Sequence, residues 1–123
     1  MIWYVIENEK LKVINKLNRK IVEALQLGWG NGYVAVPPSH CLHGIDYDRL
    51  YYLFEDRPDQ ICVHGGITYS QFGDGTRAPK DWWVFGFDCM HWNDNLENWP
   101  EEKVIEETMS LFWQLLELEW GEL

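Results

Sequence analysis

The chain has 123 residues, of which 46% are hydrophobic, and a formal charge of −10. That length and composition describe one domain, 1–123, with ample core material, and exclude a disordered or fibrous chain. The charge argues against direct nucleic-acid binding, which needs clustered Lys and Arg to release counterions.

The charge is uneven. Residues 1–20 hold five basic groups against Glu7 and Glu9, whereas residues 94–123 hold nine acids against Lys103 alone. This pattern is either two solvated helix faces of opposite sign or an acidic surface that meets a basic protein, or imitates nucleic acid in front of one. Three cysteines without C-x-x-C spacing suit a reducing cytoplasm. The opening MIWYVIENEK lacks signal-peptide features, and no apolar run reaches the length of a membrane span.

In chain order, Leu11, Ile14, Leu17, Ile21 and Leu25 recur at helical spacing, so residues 8–27 are expected to form an amphipathic helix ended by Gly28. YVAV (33–36) reads as a strand closed by Pro37 and Pro38. Residues 39–60 form a long connection in which YDRLYYLFED suits a short helix, with Asp46 or Asp48 near its start. ICVHGGITYS (61–70) alternates like a strand, interrupted at Gly65-Gly66. After the turn-rich FGDGTRAPKD, WWVFGFDC is apolar nearly throughout and is expected to be a central strand covered on both faces. Asn98 as cap, Pro100 in the first turn and Glu101 and Glu102 at the positive dipole end introduce a C-terminal helix. The sum is an α+β domain: a small antiparallel sheet of three or more strands packed against an N-terminal and a C-terminal helix.

FDCMHWND (87–94) concentrates the chemistry. Pairing of the 61–70 and 82–89 segments would bring His64 near Asp88, with His91 and Asp94 just beyond the strand end. His64, Asp88, His91 and Asp94 are types that ligate Zn²⁺, Mn²⁺ or Fe²⁺, and His64, Asp88 and His91 could serve acid–base catalysis. His40, Cys41 and His43 add donors from the long loop. Equally, Asp88 can hold turn N–H groups while His64 is a satisfied structural histidine. The D-x-x-H-x-x-D spacing matches no metal motif, and no P-loop, nucleophile elbow or dinucleotide fingerprint is present, so the sequence identifies no cofactor. Cys89, beside Asp88, is the cysteine with polar company.

Eight tryptophans (Trp3, Trp29, Trp82, Trp83, Trp92, Trp99, Trp113, Trp120) exceed what a small core can satisfy, so some should line a pocket or protein contact. Arg49, Arg57, Arg77 and Lys80 lie in the two long loops. They are solubilising charges, or they converge over an aromatic floor of Trp82, Trp83, Tyr47 or Tyr69. With His64, Asp88 and His91, that floor would bind a nucleotide by stacking and phosphate pairing.

GYVAVPPSHCLHGIDYD (32–48), VHGGITYS (63–70) and WWVFGFDCMHWND (82–94) together resemble a small-protein family common in phages and prophages. In that family a GYV-x-VP strand leads to HPLYG-x-x-YDD, followed by VHGG-[LI]-T-[FY] and WW-x-GFDC-x-H-x-x-D. The segments span about half of the chain. The chain departs at Cys41 (usually Pro), His43 (usually Tyr) and Arg49 (usually acidic). The resemblance implies a phage or prophage accessory protein in the host cytoplasm, and such small acidic proteins often antagonise host defence. The expected mechanism is binding without catalysis: sequestering a nucleotide signal or inhibiting a host defence protein. A metal-dependent hydrolase of a nucleotide or phosphate ester is the alternative. A structural or assembly role, with the tryptophans and the acidic helix used for assembly, is the other; a homo-oligomer is a further expectation.

Overall fold

The structure, a computed structural model, describes residues 2–3, 12–17, 28–53, 61–76 and 78–120. Its elements are β1 (Ile2–Trp3), β2 (Lys12–Leu17), β3 (Gly30–Val36), α1 (Tyr47–Leu53), β4 (Tyr69–Phe72), β5 (Trp83–Phe87) and α2 (Glu101–Trp120). The strands form one antiparallel sheet in the order β1-β2-β3-β5-β4. With α2 packed against it, the fold is α+β, as the element pattern predicts.

β5 earns its central position from its composition. An uninterrupted apolar run has no solvent face, and all five of its residues are buried between β3 and β4. Alternation sends Trp83, Phe85 and Phe87 to the main core and Val84 to the opposite face. Val34 and Val36 of β3 join the main core, where Val104, Leu111, Phe112, Leu115 and Leu116 of α2 cover them. Gly32 permits this approach, because a Cβ there would collide with Thr108 Oγ1 and the Phe87 ring. On the other face, Ala35, Ala78 and Val84 make a smaller cluster flanked by Tyr33 and Trp82.

Three expectations are corrected. Residues 12–17 are a strand, not part of a helix; the other residues of the expected 8–27 helix lie outside those described. The adjacent β-branched Val13 and Ile14 favour the extended chain, and β2 pairs along its whole length with β3. Residues 61–68 are not a strand. Gly65 and Gly66 have φ of +70° and +83°, and Gly66 N–H bonds Val63 O across a turn, so the ladder begins only at Tyr69. Asn98 does not cap α2. The Pro100 carbonyl accepts the first helical bonds, from Lys103 and Val104, whereas the Asn98 side chain bonds Asn95 N–H and Asn93 O.

The long connection after β3 is anchored through His40. Its Nδ1 accepts Leu42 N–H at 3.0 Å and its Nε2 donates to Leu115 O at 2.7 Å, so both ring nitrogens tie the loop together and onto α2.

Candidate functional site

β5 ends at Phe87, and Asp88 begins a turn built almost wholly from side-chain hydrogen bonds. Asp88 Oδ1 accepts Met90 N–H at 3.0 Å, and its Oδ2 accepts the Thr68 hydroxyl at 2.8 Å. Asp94, only 8% exposed, closes the turn by accepting His91 N–H at 2.9 Å. Asn93 takes a φ of +72°, a conformation asparagine tolerates better than most residues. Asn95 Oδ1 then accepts from Glu97 and Asn98, which stitches the turn to the start of α2.

The Gly65-Gly66 turn delivers His64 to this structure. Its Nε2 lies 2.9 Å from both Asp94 oxygens, its ring stacks on Trp99 at 4.0 Å, and its backbone N–H donates to Glu107 of α2 at 3.2 Å. Two bonds between the Gln114 amide and the Cys62 backbone, of 2.7 and 2.9 Å, pin the same loop to the helix. The His91 ring meets that of His64 edge-on at 5.3 Å, and a Cβ at Gly65 would strike it. His91 Nε2 is buried, 3.2 Å from Asp88 Oδ1 but out of line for a hydrogen bond.

Four sequence candidates, His64, Asp88, His91 and Asp94, therefore converge, although His64 pairs with Asp94 rather than Asp88. Most of their hydrogen-bonding capacity goes into holding two loops together. Among the described residues no group of three or more His, Cys, Asp or Glu side chains is placed to hold a metal ion. Cys89 lies behind them, fully buried. Burial first, then the charges of Asp94, Asp88 and Glu107, opposed by Lys103, push its thiol from 9.0 to about 12. A thiol held protonated at neutral pH is no nucleophile.

The other candidates do not join them. Trp83 is in the main core, donating its indole N–H to Ile45 O at 2.9 Å, whereas Trp82 packs on the opposite face of the sheet. Tyr69 meets Tyr33 on the Trp82 side, while exposed Tyr47 bonds Ser70 Oγ through its backbone N–H. The sheet itself thus divides the expected aromatic floor. Arg49 is exposed on α1, and Arg57 and Arg77 lie outside the described residues. In the long loop, His43 Nε2 donates to Asp81 O and the Cys41 thiol to Leu118 O. A cleft of about 440 Å³ opens at the start of α2, lined by Trp29, Leu96, Pro100, Glu101, Glu102 and Ile105; it takes in one of the eight tryptophans, Trp29, and none of the candidate histidines, carboxylates or arginines.

Two residues stand out on the turn: Trp92, one of the eight tryptophans from which a contact surface was expected, is 90% exposed, and Met90, which sequence reasoning passed over, is 56% exposed. For Met90 the available signal was its setting, a thioether in a polar turn beyond a strand end, with no apolar periodicity to bury it.

No protein-family model matches the chain, and no curated protein or solved structure matches it.

Proposed function

We propose that this protein acts by binding, without catalysis, as a phage or prophage accessory protein that antagonises a host defence protein in the cytoplasm. The observation that carries the binding reading is Trp92: a large aromatic side chain held almost wholly in solvent on a turn whose backbone is fixed by Asp88, Asp94 and His64. An exposed tryptophan on a rigid support loses little conformational freedom on association, the property that makes such residues binding hot spots. The carboxylates and histidines beneath it act as struts. The phage assignment rests on the three-segment resemblance, and the choice of a protein over a nucleotide on exposure: small ligands need a concave site that encloses them, and Trp92, 90% exposed, projects into solvent. Among the described residues no helix is long and apolar enough to cross a membrane, which suits a cytoplasmic partner.

The hydrolase reading keeps one observation in its favour, the partly buried Asp88–His91 pair with its unbonded Nε2. The two separate in a plaque assay: the chain is expressed in a bacterium whose defences restrict a test phage, alongside Trp92→Ala and His91→Ala. Binding predicts restored plaques with wild type and loss with Trp92→Ala. A hydrolase predicts loss with His91→Ala and retention with Trp92→Ala, together with a stoichiometric metal in native mass spectrometry of the purified protein.

A further inference from the structure

The surface around Trp92 also carries information about what covers it. Between Asp88 and Glu117 the chain has eight carboxylates (Asp88, Asp94, Glu97, Glu101, Glu102, Glu106, Glu107 and Glu117) and one ammonium, Lys103. That ammonium sits over the Trp99 ring, 4.6 Å from its centroid, while Glu97, Glu102, Glu106 and Glu117 are exposed. On α2 the solvent stripe runs Glu102, Glu106, Ser110, Trp113, Glu117, and places a second half-exposed indole among carboxylates. His64 ties the turn to the helix, bonding Asp94 with its ring and Glu107 with its backbone.

We infer that the partner docked by Trp92 and Met90 is a protein with a cationic surface, of the kind that otherwise holds a nucleic-acid backbone. This rests on the binding reading above. Charge complementarity selects the occupant. A nucleic acid or an anionic membrane would be repelled, and a second copy of this chain docked through the same face would set like charges against each other. A lysine- and arginine-rich face with an apolar recess satisfies both features: the carboxylates steer the encounter, and the two aromatic and thioether side chains exclude water at its centre. Arginine can in addition stack on the exposed indole faces.

The probe is a nuclease-treated lysate of a bacterial host, divided on heparin into a retained cationic fraction and a flow-through. Each is passed over immobilised wild type, Trp92→Ala, and the triple charge reversal Glu97→Lys, Glu102→Lys, Glu106→Lys, all first matched to wild type by circular dichroism. The expected partner comes from the retained fraction, binds wild type but not Trp92→Ala, and is displaced by duplex DNA. Once purified, its association rate with wild type falls roughly tenfold or more between about 50 and 200 mM salt, and falls similarly with the charge reversal. A Trp92-dependent partner found in the flow-through, or one indifferent to salt and to charge reversal, overturns the cationic inference and leaves the binding reading standing. Absence of any Trp92-dependent partner from both fractions overturns the binding reading itself.

Discussion

The sheet–helix interior and the turn that follows β5 are separated by one peptide bond, yet they are held by different forces. In the interior, Phe85, Phe87, Val34, Leu111, Phe112 and Leu115 are each at most 2% exposed, and burial of non-directional apolar surface does the stabilising. From Asp88 to Asn98 the chain buries little besides Cys89 and Asp94, and most of the fixed positions trace to a backbone N–H donating to an aspartate or asparagine side-chain oxygen. The interior sets whether the protein folds. The turn sets where one exposed tryptophan stands. Substitutions should separate these two roles.

The largest effect belongs to the interior. Phe85 is central on β5 and wholly buried, so Phe85→Ala should cost about 3–5 kcal/mol, from lost transfer energy and the cavity left behind. Urea unfolding measures this, and a loss near 1 kcal/mol would mean that α2 collapses onto the gap and the core is less tightly packed than described. Next comes Asp94→Ala, which leaves His91 N–H and the His64 ring without their acceptor and should cost about 1–3 kcal/mol. Its distinctive readout is local: the His91 amide should lose hydrogen-exchange protection while amides of β3 and β5 keep theirs. Equal loss everywhere would place the clasp inside the cooperative core and dissolve the distinction.

The same division explains how much was legible in the sequence. Elements with strong local signals were readable: α2 from Pro100 in its first turn and Glu101 and Glu102 at its positive end, and β5 from an apolar run that tolerates no solvent face. Residues 12–17 misled because leucine and isoleucine spacing imitates a helix, whereas a long-range partner, β3, decides the conformation. At 61–68 two glycines weigh more than the alternating pattern around them. The convergence of His64 with the 88–94 turn could be anticipated, but its pairing could not. Asp94 is buried through a contact thirty positions away, and sequence gives no measure of burial for a single aspartate. Trp92 illustrates the remaining gap. Within W-N-D and W-P-E settings it looks no different from Trp99, yet one is in solvent and the other is 8% exposed against His64.

A smaller effect, visible only at high pH, tests the boundary between the two regions. Cys89 keeps its proton to about pH 12 in the fold because of burial first and the neighbouring carboxylates second, whereas the unfolded chain releases it near 9.0. Its contribution is therefore fully present below pH 9.0 and is lost as pH rises toward about 12. Above pH 9.0 the unfolding midpoint of wild type should fall faster than that of Cys89→Ala, and the gap between them should narrow. At pH 8 a bulky maleimide should label exposed Cys41 and Cys62 and spare Cys89 until denaturant is added. Rapid labelling of Cys89 in the native protein would mean that the clasp opens readily, and that the turn is not the rigid support the binding proposal requires.

The smallest expected effect on stability is the most informative about function. Trp92 is 90% exposed, so Trp92→Ala removes almost no buried surface and should change stability by no more than about 0.5 kcal/mol. Met90→Ala should behave alike. A protein gains nothing in folding by keeping an indole in water at the apex of a turn secured by two aspartates and a histidine. If the thermal midpoint is unchanged while the phage phenotype disappears, the residue is retained for an encounter outside the chain. A midpoint that drops by several degrees would instead show that the indole folds back onto the protein in solution, and Trp113 on α2 would then be left as the exposed aromatic to examine.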